Sequence, residues 1–499
     1  MLRKSIFPLP NNFSSLNLII FNSLFLWLLF TFCRQFLGDA DLVENYAWGI
    51  TWTLGNNKHP PLFGWITAAW FQIFPTSNWA YFLLNELNLL VALIFLMLSL
   101  RKLFGEDKVY IALALTITIL PLGVTHGYKY NANLAQLPFI TGYTWALLTA
   151  LIDKRTSRYF LAGLFAGSAI LCKYSSVIIL GAITIAIWLY SKPKLSYFLP
   201  KLSLIAIVTM VVTSPHFYWA IQHGAPSIHY MHERHVASSI GGWLSRCGYS
   251  LFKLIQYVAL PLMIFGMALI FSPRTLMSLR PTFSRRAPLG LIIFLLSVLG
   301  TMTAAYIEHI DTDPDWFIVP SLFFGWALID IFPEMANLRK LRENINILIV
   351  IYFISFIGIY FLTERNYPSK VPHVAELPEI VARDVTQIYH ETYNKPIEYA
   401  AGSFPLPYFM SFSSSDHPLG LFGLDLLASN WIDADKFRSG SKVIICASEV
   451  RYSPVEPACS QHAVRLLGLP DSQKTLKYVA YDRTLKAQRS VEYNVLMYR

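Results

Sequence analysis

The 499-residue chain is 55% hydrophobic and only 14% charged, with a mean hydropathy of +0.45 and a formal net charge of +10. Soluble globular proteins carry about 25% charged residues, so this composition excludes an ordinary soluble enzyme and points to a membrane protein. The surplus positive charge sits in short clusters between apolar runs, which is the pattern of membrane topology rather than of a nucleic-acid-binding face.

In chain order, Arg3 and Lys4 precede an apolar stretch from Leu16 to Phe32. It has the charge pattern of a signal peptide but no small-residue cleavage site, and many further spans follow, so it reads as a retained first helix. Runs long enough to cross a bilayer, roughly 20 residues, fall near 16–36, 79–100, 109–125, 134–152, 159–172, 175–190, 202–221, 251–271, 288–306, 316–332 and 345–362. Alternate connections are basic: Arg101, Lys102 and Lys108; Lys154, Arg155 and Arg158; Lys192, Lys194 and Lys201; Arg274, Arg280, Arg285 and Arg286; Arg339, Lys340 and Arg342. The positive-inside rule places these and the N-terminus in the cytoplasm, and about eleven spans then leave the C-terminal region outside.

The segments expected on the outer face are 37–78, 126–133, the turn at Lys173, 222–250, 307–315 and the tail. The first is long for a connector. Its "ITWTLGNNKHPPLFGWITAAWFQIF" suggests interfacial helices interrupted at His59-Pro60-Pro61, because proline lacks a backbone donor and its preceding residue avoids the helical region. From about 364 charges return and apolar runs shorten. "AELPEIVARDVTQIYHETY" has helical spacing, and "KVIICA", "LKYVAY" and "VEYNVLMY" read as strands. The expected architecture is therefore an α-helical polytopic membrane domain over 1–363, with the outer loop 37–78, and a small periplasmic α/β domain over 364–499. Cys33, Cys172 and Cys247 lie in or near spans and read as packing residues. Cys446 and Cys459, thirteen apart in the tail, are disulfide candidates in an oxidising periplasm.

Chemistry-bearing residues gather in the outer segments. "GDADLVENYAWG" supplies Asp39, Asp41 and Glu44, followed by Lys58 and His59; the next segment has His126, Lys129 and Tyr130. A carboxylate at a membrane interface can be a solvated rim or a base. Lys173, in "AILCKYSSV", lies between two apolar runs on the side that positive charge avoids. It reads either as a snorkelling anchor or as an amine holding a lipid phosphate. His229, His232 and His235, with Glu233 and Arg234 among them, and Asp311, Asp313 and Asp315, beside Glu308 and His309, admit a divalent cation but match no metal motif; they read as polar loop residues. No Walker loop, dinucleotide fingerprint or GxSxG elbow is present.

An Asp and a Glu after the first span, about nineteen residues to "HPPLFGW", an NxN element in "YKYNANLAQLP", and "GLFAGSAILCKYSSVIIL" together resemble the GT-C glycosyltransferases. More narrowly they resemble the bacterial branch of protein O-mannosyltransferases and lipid A aminoarabinose transferase (glycosyltransferase families 39 and 83). The resemblance covers roughly residues 15–330. It implies a sugar moved with inversion from a polyprenyl monophosphate on the outer leaflet to an acceptor on lipid A, a surface glycan or a protein. That family opens its first outer loop with an Asp-Glu pair whose Asp is the base. Counting back from Pro60 lands on Asp41, with Leu42 in the Glu position, Glu44 supporting and Asp39 as the rival.

The family's phosphate-contacting lysine before the proline pair corresponds to His59, with Lys58 one position earlier. Lys173, with Tyr174 beside it, matches a second lysine that clamps the donor phosphate. Tyr130, Asn131, Asn133 and Trp316 are the implied substrate-binding residues. "DTDPDWFIVP" keeps Trp316 and Pro320 but carries acid where relatives place a cation. No cofactor is implied with certainty, a divalent cation stays open, and the expected partners are the lipid-linked donor, the acceptor and the membrane. The competing classes are a flippase for lipid-linked sugars, expected to carry ionisable residues in mid-span and repeated halves, and a membrane-anchored binding protein.

Overall fold

The computed structural model describes residues 14–34, 36–123, 127–227, 230, 240–279, 287–365, 371–449, 452–482 and 484–499. His126, His229, His232, Glu233, Arg234, His235, the basic residues Arg280, Arg285 and Arg286, and Arg3 and Lys4 lie outside these.

All eleven apolar runs are helical in the described residues. Among the described residues seven helices are long and apolar enough to cross a membrane, and a pair bent by 51°, Pro314–Ser321 with Phe324–Ile331, passes the same test taken together. The named helices are α1 (Ser15–Cys33), α2 (Ala40–Gly49), α3 (Leu62–Phe71), α4 (Asn78–Arg101), α5 (Glu106–Thr116), α6 (Ala132–Ala135), α7 (Leu137–Asp153), α8 (Thr156–Cys172), α9 (Ser176–Ser191), α10 (Leu195–Gln222), α11 (Ile240–Ile270), α12 (Leu289–Ile307), α13 (Phe324–Ile331) and α14 (Leu338–Arg365). Three of the runs form helices shorter than the roughly 20 residues of a full bilayer span. The helices α8 and α9 have 17 and 16 residues, and α5 stops after 11, before Pro121 opens a separate 3-10 turn at Leu120–Leu122.

The segment 37–78 folds into a helical hairpin. Asp39 caps α2, its side chain accepting the Asp41 backbone N–H, and Pro60-Pro61 stop the intervening chain just before α3. The Gly of "HPPLFGW" has a packing reason. Gly49 at the end of α2 lies so close to Gly64 that a Cβ on Gly49 would sit 2.1 Å from the Gly64 carbonyl oxygen. A side chain there would push the two helices apart.

The tail holds α15 (Leu377–Tyr393), α16 (Leu406–Ser413), α17 (Ala458–Leu467) and a five-stranded sheet. Its strands are β1 (Tyr399–Gly402), β2 (Leu419–Gly420), β3 (Lys442–Ala447), β4 (Ser472–Asp482) and β5 (Ala487–Tyr498), in the order β2-β1-β3-β5-β4. β1 pairs in parallel with β2 and β3, while β5 is antiparallel to β3 and β4. The period of two along "KVIICA" decides what each face meets. Val443, Ile445 and Ala447 join Leu377, Val381 and Val385 of α15 in one apolar core. Ile444 and Cys446 face the other way, into a second core shared with Leu42, Val43 and Trp48 of α2 and Phe63 of α3. The sheet domain is thus packed onto the outer loop. Trp48 Nε1 donates to the Tyr408 hydroxyl at 3.3 Å, and Glu379 accepts the Leu37 backbone N–H at 2.6 Å.

Cys446 and Cys459 are bonded, tying the end of β3 to the start of α17 with both residues fully buried. A cross-link over so short a loop stabilises by about 3 kcal/mol through the unfolded chain. Replacing both cysteines by serine is expected to lower the thermal midpoint of the tail, and a reductant should lower it equally in the unmodified protein. An unchanged midpoint in both would show the bond to be absent in solution.

Candidate active site

A cavity of about 590 Å³ opens at one end of the helical bundle. Its walls come from the first outer loop, the segment at 131–133, the turn at 173–175, residues 227 and 230, and the stretch from Glu308 to Trp316. These are the connections that charge alternation assigns to a single side.

Asp41 and Glu44 stand one turn apart on α2. Lys58 reaches both, at 3.8 Å from Asp41 Oδ1 and 3.0 Å from Glu44 Oε2. The two acids are not equivalent. The Glu44 side chain is 3% exposed and that of Asp41 is 40% exposed, so Glu44 lies behind Lys58 while Asp41 opens into the cavity. Burial alone would lower the Lys58 ammonium; the nearby Glu44 and Asp41 carboxylates, with the Glu44 hydrogen bond, outweigh it and hold it above its ordinary value. Lys58 therefore stays charged through neutral pH.

Asp39 points elsewhere. It is 2.6 Å from Lys129 Nζ, caps α2, and does not line the cavity. His59 lines the cavity, its ring set edgewise against Trp48 and Phe63, and its backbone N–H is held by Asn56 at 2.8 Å. Burial, with Lys58 and Lys173 nearby, keeps its imidazole well below its usual value and so neutral.

The same cavity is lined by Lys173, in the turn between α8 and α9. Its ammonium donates to Asn133 Oδ1 and lies 5.7 Å from the centre of the Trp316 ring. Burial pushes it down to about 8; Asp313, Asp315 and Asp41 oppose that shift and Lys58 adds to it. Tyr174 beside it is fixed through His216, whose Nδ1 faces the Leu54 carbonyl at 2.6 Å. A carbonyl only accepts, so Nδ1 carries the proton and Nε2 accepts from the Tyr174 hydroxyl at 2.6 Å.

The NxN element links Asp41 to Lys173. Asn131 caps α6 with its side-chain oxygen and donates its amide to Asp41 Oδ2 at 3.3 Å, while Asn133 accepts from Lys173. The sequence places Tyr130, Asn131 and Asn133 together as substrate-binding residues. In the structure the two asparagines line the cavity with their side chains engaged by Asp41 and Lys173. The Tyr130 side chain is 1% exposed in a hydrophobic core outside the cavity, and its carbonyl accepts from Asn45.

Asp313, Asp315 and Glu308, which the sequence reads as polar loop residues, all line the cavity. Asp313 caps the 3-10 turn Pro314–Phe317 by accepting the Asp315 N–H at 2.8 Å. Asp311 turns away, to Arg246 at 3.5 Å. The available signal was the pair of acids around Pro314, beside Trp316, at the position where relatives place a cation. Among the described residues no three His, Cys, Asp or Glu side chains converge into a metal-binding set.

Comparison with known proteins gives three findings. The sequence model of the dolichyl-phosphate-mannose-protein mannosyltransferase family matches residues 58–219. The lipopolysaccharide core galacturonosyltransferase RgtB of Rhizobium johnstonii is 23% identical over 295 residues, 57% of this chain and 59% of RgtB, so the match spans less than two thirds of that relative. Crystal structures of ArnT from Cupriavidus metallidurans share the fold across 96% of this chain and 97% of theirs. The one bound to undecaprenyl phosphate has a TM-score of 0.59 at 14% identity, and the apo form 0.60 at 15%. The chain thus shares the fold of ArnT over almost its whole length, and the matched family model and RgtB both liken it to membrane glycosyltransferases.

Proposed function

We propose that the chain transfers a sugar from a polyprenyl monophosphate to an acceptor of the cell envelope, on the periplasmic face of the bacterial inner membrane. The observation that carries this reading is the exposed Asp41 carboxylate in a single cavity with the Lys173 ammonium. In the proposed step Asp41 takes the proton of the acceptor hydroxyl. The hydroxyl oxygen bonds to the anomeric carbon as the carbon–phosphate oxygen bond breaks on the opposite face, which inverts the centre. Lys173 meets the charge that develops on the departing phosphate. Lys58, bound to both acids, orients Asp41 rather than serving the phosphate, and Glu44 keeps Lys58 in place.

The cavity continues past Ile178 of α9 and Thr301, Ala304 and Ala305 of α12, a largely apolar wall suited to a prenyl tail. RgtB, named for lipopolysaccharide core, and ArnT, crystallised with undecaprenyl phosphate, support a lipid-linked donor and a glycolipid acceptor. The buried disulfide supports an oxidising compartment for the tail. The inward placement of the basic connections and of the N-terminus belongs to the same proposal.

Purified protein supplied with an undecaprenyl-phosphate sugar and lipid A, core oligosaccharide or protein acceptors is expected to consume the donor and form a glycosidic bond. Transbilayer movement of the lipid with no such bond would replace this reading with the flippase.

A further inference from the structure

The charge balance of the cavity is unexpected for a phosphate site. Its described walls carry five carboxylates, Asp41, Glu44, Glu308, Asp313 and Asp315, against two lysines. Lys58 is held by Asp41 and Glu44, which leaves Lys173 as the cation facing the remaining space. On their own, acids beside a phosphate pocket repel the ligand.

The placement of Asp313 and Asp315 gives them another task. Both sit on the 3-10 turn that also presents Trp316, whose ring lies 5.7 Å from Lys173 Nζ. Lys173 lies in a half-buried turn, and among the described residues its side chain hydrogen-bonds to a neutral amide, Asn133. A desolvated amine without a countercharge gives up its proton and becomes useless to a phosphate. The charged groups around it are Asp313 and Asp315 from this turn, Asp41 from α2, and Lys58 from the first loop, with neutral His59 beside Lys58.

We propose that Asp313 and Asp315 are positioning residues for Lys173: they keep its ammonium protonated in the empty cavity, so that the cation is ready when the donor phosphate arrives. The acids thereby replace a permanent cation at this position with a lysine whose charge they maintain. This rests on the reading of Lys173 as the phosphate contact. Burial leaves that lysine near 8 even with the acids in place, so phosphate binding should be strong below pH 8 and weaken as pH rises through it.

The test is binding of undecaprenyl phosphate itself, without any sugar transfer, to the full-length protein in detergent between pH 7.5 and 9. This range lies above the second ionisation of a phosphate monoester, about 6. The variant Asp313→Asn with Asp315→Asn keeps a capping side chain at position 313, and Asp315→Asn alone leaves that cap untouched. The double variant is expected to bind several-fold more weakly, with a loss that grows from pH 7.5 to pH 9 as the less-supported lysine gives up its proton. In a Lys173→Arg background, where the guanidinium cannot lose its proton, the same two substitutions should leave binding unchanged or tighten it, since only repulsion remains. That reversal of sign is not expected of residues that merely shape the loop.

Binding by the double variant that matches or exceeds the wild type across this pH range, with Lys173 in place, overturns the inference. If Lys173→Ala leaves undecaprenyl phosphate binding unchanged, the phosphate assignment itself fails. If Lys173→Ala abolishes binding while the Asp variants do nothing, only the role of the acids fails.

Discussion

Replacing Asp41 by Asn is expected to lower sugar transfer by about 10²–10⁴-fold, the range for a positioned general base, and to weaken undecaprenyl phosphate binding far less, since Asp313 and Asp315 still support the Lys173 charge. The amide keeps the size of the side chain, so α2 and the Asn131 contact survive and only the proton acceptor is lost. Asp39→Asn supplies the contrast. Asp39 is engaged with Lys129 and caps α2, a position at which Asn serves equally well, so a change of no more than a few-fold follows. Rates from a coupled assay with saturating donor, together with separately measured donor affinity, decide the matter. Transfer that survives Asp41→Asn but collapses in Asp39→Asn would move the base to Asp39 and refute the geometry-based assignment.

The second large effect concerns stability. Lys58→Met takes the ammonium away from Glu44, whose carboxylate is 3% exposed, and leaves a buried charge without its cation. Breaking a buried pair in this way costs about 3–5 kcal/mol, enough to melt the outer loop or force Glu44 to take up a proton. Pairing it with Glu44→Gln removes the stranded charge. The double variant should then recover much of the lost stability, with a coupling of about 0.5–3 kcal/mol for residues in contact. Thermal unfolding of the two single variants and the double variant closes the cycle. Additive losses would show that Lys58 and Glu44 do not depend on each other.

The helical framework was legible because each apolar run announces itself locally. A bilayer-length stretch between basic clusters needs no knowledge of its neighbours, and all eleven runs are helical where described. The longer strands of the tail were legible for the same reason, through alternation along "KVIICA" and "VEYNVLMY". Short elements escaped: β1 is the four residues "YAAG", and α16 begins at Leu406 after Pro405, with no long amphipathic pattern. Lys173 could be singled out because an amine between two apolar runs is costly wherever it points.

The partners of these residues were not legible. That Asn131 and Asn133 hold Asp41 and Lys173, that Glu44 is buried where Asp41 is open, and that the Asp313 turn faces Lys173 all depend on contacts between segments far apart in the chain. Tyr130 shows the converse: a polar side chain next to two cavity residues lies outside the cavity because the backbone there turns it into a hydrophobic core.

The contact between Trp48 and Tyr408 joins residues 360 positions apart, and the core around it mixes α2 and α3 with the inner face of the sheet. This sets an order of events during biogenesis. The ribosome delivers Asp41 early, but the surface against which α2 rests is made only after the last membrane helix. Until the tail has folded and docked, the loop bearing Asp41 has an apolar flank with nothing against it. The nascent chain therefore carries its candidate base for most of its synthesis without the support that fixes that base in the cavity with Lys173.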